Sequence, residues 1–433
     1  MSELKITVIG AGSSYTPELI DGFIKNDFAQ PIQICLYDIE QGEEKTKIIE
    51  NFAKRMVNKT KKNINITSDM IIESALENCS FVINQFRVGF LDARIKDEKI
   101  PLKYGLIGQE TTGAGGFFNA VRTIPEAIRI AQTMEKICPD AWIINFTNPS
   151  GIIVEAINRY SNIKCVGLCN VPYNMRIDIA KVLRTDVENV YCEFVGLNHL
   201  SFISEVYYMG KPILQSLIDK RVFASQLVKN IPKIEAVSDL IRQLRLIPSP
   251  YLQYFYFENE MFGKIKREVE SGKGTRGEQV KKVVDELFEI YKDINISEKP
   301  SQLDRRGGAY YSTVAIQLIK ALCSNTPTLQ VINYCNNGAF SELSNKSVVE
   351  TNCVIDYSGV RSLTYGSLPS QIKGLILQMK DYEKLTIESA VKGSKDLATL
   401  ALLNNPLIHG YKNAACLIND MLSEYKDFLP RFN

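Results

Sequence analysis

Histidine is nearly missing: two occur in 433 residues. Because histidine is the usual acid–base and metal-binding side chain, any cleavage of a sugar or phosphate bond is expected to be organised without the common constellations. An excess of charge of either sign is also lacking. Lys plus Arg number 51 against 49 Asp plus Glu, a net charge of +2, which excludes a global basic field for nucleic acid or an anionic membrane. A small anionic substrate stays open, since local arginines bind one without altering the total. No apolar run reaches the roughly 18 residues of a membrane span. The ten cysteines follow no regular spacing and no leader-like segment precedes Lys5, so reduced thiols and a cytoplasmic location are expected. Linkers, repeats and low-complexity tracts are absent too.

What is present is an alternation of apolar strands with helical patterns. Lys5–Ile9 reads as a buried strand ending in a glycine turn, and Pro17–Ile24 as a helix with Thr16 as its N-cap. Ile32–Tyr37 is a second strand, followed by a long helix from about Gly42 to Asn58; Phe81–Gln85, Trp142–Asn145 and Lys164–Leu168 are further strands. This pattern predicts an α/β fold with an N-terminal Rossmann-like, doubly wound parallel sheet covered on both faces. After about residue 190, Val190–Val195 and Phe202–Tyr208 alternate like antiparallel strands. Helical stretches follow at Lys233–Leu244, Gly277–Tyr291 and Tyr310–Leu322, then β-rich Leu329–Tyr334 and Val348–Ile355, then helical Ile372–Leu403 and Lys412–Tyr425. The expectation is a mixed α+β C-terminal domain. Residues 1–195 would bind a dinucleotide, and 196–433 would carry the substrate and metal site and the oligomerisation surface, across a shared interface.

In the run Gly10-Ala-Gly12-Ser13-Ser14, the two glycines allow backbone N–H groups to approach a pyrophosphate at a helix N-terminus. Asp38 closes the second strand, placed for a ribose hydroxyl, and its charge favours NAD over NADP. The third glycine of the fingerprint is replaced by Tyr15. Three other segments end strands on the ligand-binding edge of such a sheet: Gln85-Phe-Arg87, Asn145-Phe-Thr-Asn148-Pro-Ser-Gly151 and Cys169-Asn170. Cys169 alone reads as a small buried hydrophobe, and His199, in Gly196-Leu-Asn-His199-Leu200, alone reads as structural. Taken together they are two metal ligands, half of a closed structural zinc set, which leaves open positions of a catalytic kind. Gly108-Gln-Glu110-Thr-Thr-Gly113-Ala-Gly115-Gly116 lacks the Lys of a P-loop and is either a flexible surface loop or a lining of the site. Tyr251, Tyr254 and Tyr256 follow Pro250; they are core aromatics or, beside a metal, a source of a base. Thr275-Arg276 and Arg305-Arg306-Gly-Gly308 each precede a helical stretch and are either phosphate-binding or solvated charge.

Six motifs together resemble glycoside hydrolase family 4, the NAD- and manganese-dependent glycosidases: Val8-Ile-Gly-Ala-Gly-Ser-Ser-Tyr-Thr-Pro17, Gln85-Phe-Arg-Val-Gly89, Gly108-Gln-Glu-Thr-Thr-Gly113, Asn145-Phe-Thr-Asn-Pro-Ser-Gly151, Gly167-Leu-Cys-Asn-Val-Pro172 and Gly196-Leu-Asn-His-Leu200. The resemblance spans the chain and is strongest to the branch acting on 6-phospho-β-glucosides. In the α-acting branch an aspartate follows the metal-ligating cysteine and protonates the leaving group; here Asn170 stands there, and an amide is no such acid. The resemblance implies a route other than paired carboxylates. NAD⁺ oxidises carbon 3, manganese(II) held by Cys169 and His199 stabilises the enediolate, and Tyr251 removes the carbon 2 proton. The aglycone leaves, water adds and the hydride returns. It further implies substrate contacts at Arg94, Asn148 and Asn170, a phosphate contact at Arg276, NAD contacts at Gly10, Gly12, Ser13, Ser14 and Asp38, and a homodimer or homotetramer.

Three other readings compete. One is another specificity of the same family, such as α-glucoside or galacturonide cleavage; Asn170 argues against the first. A dehydrogenase of the lactate/malate type shares this nucleotide domain but releases NADH stoichiometrically. A non-catalytic NAD-sensing protein would bind NAD without turnover; retention of Cys169, His199, Arg94 and Tyr251 argues against it.

Overall fold

The computed structural model describes residues 3–220, 236–307 and 310–432. Six parallel strands form its centre: β1 (Leu4–Ile9), β2 (Ile32–Tyr37), β3 (Ile64–Asp69), β4 (Phe81–Asn84), β5 (Trp142–Asn145) and β6 (Lys164–Gly167). A hairpin pair follows, β7 (Val190–Leu197) and β8 (Leu200–Tyr208), flanked by the short β9 (Lys211–Pro212) and β10 (Ile247–Pro248). Last come β11 (Thr328–Cys335), β12 (Val348–Asp356) and β13 (Gly359–Ser362). The large sheet runs β13-β12-β11-β6-β5-β4-β1-β2-β3, so its parallel part has the doubly wound dinucleotide order. The strands expected in the C-terminal unit extend this sheet antiparallel from β6.

Period-2 alternation explains why these strands are apolar throughout. On β2, Cys35 and Tyr37 point into one hydrophobic cluster while Ile34 and Leu36 point into the other across the sheet. Both faces are covered by helices, so neither set of side chains tolerates charge.

Several boundaries differ from the sequence reading. Thr16 does not cap the first helix: Tyr15 is its N-cap, and the Thr16 hydroxyl donates to the Ala11 carbonyl at 2.8 Å. The expected helix Ile372–Leu403 is two, Ser370–Lys392 and Lys395–Asn404, because Gly393 takes φ 66° and Ser394 caps the second through its hydroxyl. Of the expected Lys233–Leu244 helix, Val237–Leu244 is present; residues 233–235 lie outside the described residues, as does Gly308.

One buried ion pair ties the C-terminus to the frame around the site. Arg122, in the Gly113–Ile137 helix, donates to Asp97 of the Phe90–Leu102 helix at 2.9 and 2.7 Å, and the Tyr425 hydroxyl donates to the same carboxylate at 2.7 Å. Both charged side chains are fully enclosed. Asp97→Asn would leave the Arg122 charge buried and uncompensated, a loss of about 3–5 kcal/mol. The expected result is a lower urea midpoint with unchanged slope; a wild-type midpoint would refute it.

Candidate active site

A cleft of about 1350 Å³ runs along the carboxyl ends of the parallel strands. Its walls include Gly10, Gly12, Ser13, Ser14 and Asp38 at one end, and Arg94, Asn148, Asn170, Tyr251 and Arg276 at the other. Ten of the twelve residues singled out from the sequence therefore border one space. The remaining two, Cys169 and His199, are buried and do not line it.

At the first end, Gly10 holds φ 81°, and a Cβ there would stand 2.7 Å from the Phe86 Cα. The Asp38 carboxylate accepts the Gly12 N–H at 2.8 Å and the Ile39 N–H at 2.9 Å. Burial pushes its pKa up, and the two N–H groups oppose that shift. The result is an anion fixed at the tip of β2 beside the glycine turn, where a ribose diol would meet it.

The other end is positive. Glu110 pairs with Arg94 at 3.0 Å and with Arg87 more closely still. Burial raises the carboxyl, but Arg94 and then Arg87 outweigh it and bring Glu110 to about 2. Arg94 also donates to Glu98 at 2.9 Å, and Glu98 takes the Gly277 N–H at 2.6 Å. Part of the N-terminus of the Arg276–Lys292 helix is thus occupied by the protein's own carboxylate. Arg276 is exposed, with Nη2 on the carbonyls of Arg305 and Arg306 at 3.2 and 3.4 Å. Arg306 has an enclosed Nε without a partner, and burial followed by repulsion from Arg94 lowers it to about 10, still cationic at neutral pH. Four guanidinium groups, Arg87, Arg94, Arg276 and Arg306, face two carboxylates, Glu98 and Glu110, an excess of two positive charges suited to a phosphate dianion. Arg305 turns away to the surface and pairs with Glu286 at 2.9 Å.

Tyr251 joins this corner to the buried pair. Its ring stacks on His199 with centroids 3.9 Å apart and planes 10° from parallel. The phenol lies in the electrostatic reach of Cys169 and Glu110, and burial above all holds its proton on. Tyr254 is 6.2 Å from Tyr251 between centroids and faces Glu98 and Glu110; Tyr256 is influenced by burial alone. Of the three tyrosines, geometry singles out Tyr251.

His199 sits at φ 61° in the two-residue turn between Leu197 of β7 and Leu200 of β8, a backbone region uncommon outside glycine and worth reading as functional. Burial lowers its pKa to about 4, so the imidazole is neutral, and Nδ1 is enclosed without a hydrogen-bond partner. The Cys169 thiol is raised by burial and by Glu350, and faces the Val171 N–H and the Asn198 side chain. Among the described residues no group of three or more His, Cys, Asp or Glu could hold a metal. A neutral imidazole with a bare buried nitrogen, stacked on Tyr251, and a thiol within that ring's electrostatic reach nonetheless fit a soft two-donor site whose other ligands come from water or substrate.

Asn148 is held by its carbonyl, which accepts the Asn119 amide at 2.9 Å. Sequence reasoning left open the role of Glu110 and gave no role to Glu350. Glu110 lies in a glycine-rich stretch whose Gly113–Gly116 segment is buried at the start of a helix, so the surface-loop alternative falls. Glu350 sits in β12, where it begins the buried polar run Glu350-Thr351-Asn352 inside an otherwise apolar strand, a signal that the sequence reading did not use.

The fold and the cleft define a class: a dinucleotide-binding architecture with an anion-binding corner and a metal-capable Cys/His pair. The Family 4 glycosyl hydrolase profile matches residues 5–185, and the Family 4 glycosyl hydrolase C-terminal domain matches residues 194–408. The chain belongs to glycosyl hydrolase family 4. It is 44% identical, over 99% of its length and 98% of the relative's, to a probable 6-phospho-β-glucosidase of Bacillus subtilis. A 6-phospho-β-glucosidase structure from Thermotoga maritima, solved with NAD and glucose-6-phosphate, superposes with a TM-score of 0.89 at 37% identity, covering 99% of each chain. A second structure of that enzyme, with manganese, NAD⁺ and glucose-6-phosphate, gives 0.88 at 37% identity, covering 98% of this chain and 99% of the other.

Proposed function

We propose that this chain is a 6-phospho-β-glucosidase that uses NAD and manganese. The observation that carries this reading is Tyr251: one ring is stacked on His199, lies within reach of the Cys169 thiol, and faces the cleft shared by the nucleotide turn and the arginine corner. The relatives' substrates and bound groups support it.

Gly10, Gly12, Ser13, Ser14 and Asp38 would hold NAD. Cys169 and His199 would hold the metal. Arg94, Asn148 and Asn170 would position the sugar, and Arg276 its phosphate. When bound, NAD supplies transient oxidation at carbon 3, and the metal supplies Lewis acidity at the neighbouring oxygens. The work left to the protein is to move the carbon 2 proton. A phenol of ordinary pKa near 10 is too weak a base for an unactivated sugar C–H. Burial in this structure raises Tyr251 further, so the phenolate depends on a cation beside it. Asn170, on the cleft wall, offers an amide and no acidic proton, which supports β over α specificity.

The division into residues 1–195 and 196–433, a cytoplasmic location, and a homodimer or homotetramer belong to the same proposal. Among the described residues no helix is long and apolar enough to cross a membrane. Leu400, Leu403 and Tyr411, exposed in the C-terminal helices, support an association surface there.

The test is release of 4-nitrophenol from its β-glucoside 6-phosphate, with NAD⁺ and manganese each present or omitted under reducing conditions. The α-anomer and the unphosphorylated glucoside serve as comparisons. Turnover on the phosphorylated β-substrate alone, needing both additions and accumulating no NADH, is expected. Stoichiometric NADH without nitrophenol would establish the dehydrogenase reading instead.

A further inference from the structure

Behind Cys169 and His199 lies a carboxylate that no cation accompanies. Glu350 of β12 is 1% exposed. It pairs across the sheet with Asn333 of β11, which in turn faces Gly167 of β6. This row of three strands therefore ends two residues before Cys169. Its Oε1 accepts Asn198 Nδ2 at 3.1 Å and Asn333 Nδ2 at 3.2 Å, and its Oε2 accepts the Ser201 hydroxyl at 2.7 Å. Burial pushes its pKa up, and the three donors that converge on its two oxygens oppose that shift. Among the described residues no Lys, Arg or His is resolved as acting on it. Isolated buried charge is costly and is normally paired or turned toward a metal.

The hydrogen bonds lead to the metal pair. Asn198 immediately precedes His199 in the turn, and its side chain faces the Cys169 thiol as well as Glu350. Ser201 lies two residues beyond His199 on β8. One carboxylate thus grips the His199 turn from both sides and shares an amide with the thiol.

We propose that Glu350 is a positioning residue for the metal: through Asn198 and Ser201 it fixes the turn that presents His199. The inference rests on the metal reading above. Partners behind the ligands of a metal commonly set its affinity by about 10- to 100-fold, and Glu350 is assigned that part here.

The experiment is titration of the metal-free full-length chain with Mn²⁺, following free Mn²⁺ by electron paramagnetic resonance, with NAD affinity measured in parallel. Glu350→Gln is expected to weaken Mn²⁺ binding by about 10- to 100-fold with NAD affinity unchanged, and Glu350→Asp to recover part of the loss. With Co²⁺, the thiolate charge-transfer band should shift in Glu350→Gln, a change that a merely structural role would not produce. Wild-type Mn²⁺ affinity in Glu350→Gln overturns the proposal and leaves the metal reading standing. No uptake by the wild-type chain overturns both. If Glu350→Gln loses NAD binding as well, Ser201→Ala decides: weaker Mn²⁺ with normal NAD binding supports the role, and wild-type Mn²⁺ binding ends it.

Discussion

Cys169→Ser or His199→Ala is expected to lower kcat on a phosphorylated β-glucoside by about three orders of magnitude while NAD affinity stays at the wild-type level. A metal acting as Lewis acid contributes several kcal/mol to stabilising charge in the transition state, and each 1.36 kcal/mol is a factor of ten. A two-ligand site has no redundancy. Loss of the thiol leaves a poorer hydroxyl donor, and loss of the imidazole leaves only the sulfur. The nucleotide end is built separately, from the turn after β1 and the tip of β2, where Asp38 is fixed by the N–H groups of Gly12 and Ile39. None of those bonds passes through Cys169 or His199. The measurement is steady-state release of nitrophenol over a range of Mn²⁺, with NAD binding read by fluorescence. Normal turnover by metal-stripped His199→Ala would remove the metal assignment, and a parallel loss of NAD binding would mean that the two ends are not independent.

The parallel half of the fold was legible because its chemistry is local. β1, β2 and β4–β6 are short apolar runs ended by glycine, aspartate or asparagine, and a strand buried on both faces permits little else. β3 was missed because Ile64–Asp69, at the sheet edge, is half polar: Asn65, Thr67 and Ser68 break the apolar run. The joining of β11–β13 to β6 was not legible either. The Asn333–Gly167 pairing spans the chain, and no spacing encodes it. The site divides in the same way. Gly10, Gly12, Asp38, Cys169 and His199 announce themselves by motif. Glu110 and Arg306 become meaningful only once folding sets them among Arg87 and Arg94, and Glu350 only once β11 and β12 extend the sheet from β6.

Replacing Arg306 by methionine is expected to raise KM for the phosphorylated substrate more than replacing the family-matched Arg276 by alanine. The reason is enclosure. Arg276 is exposed, and its Nη2 is engaged by main-chain carbonyls, so its loss removes a charge-assisted contact of about 1.5–3 kcal/mol, roughly 10- to 100-fold. Arg306 lines the cleft, half-buried, with its Nε enclosed and unpartnered, and burial weakens its hold on the proton. A dianion there meets a cation that water screens less than it screens Arg276, and removing one member of such a partly buried pair costs about 2–5 kcal/mol, ~30-fold or more in KM. The fold should tolerate the change, because Glu110 keeps Arg94 and Arg87 as partners and an apolar side chain replacing a desolvated charge is often neutral or stabilising. Activity toward the unphosphorylated glucoside gives the internal control. Both variants should lose discrimination in favour of the phosphorylated compound, Arg306→Met the more, with NAD affinity unmoved. An unchanged KM in Arg306→Met would place the phosphate away from this corner, and an equal loss on both substrates would mean that Arg306 supports the wall without meeting the phosphate.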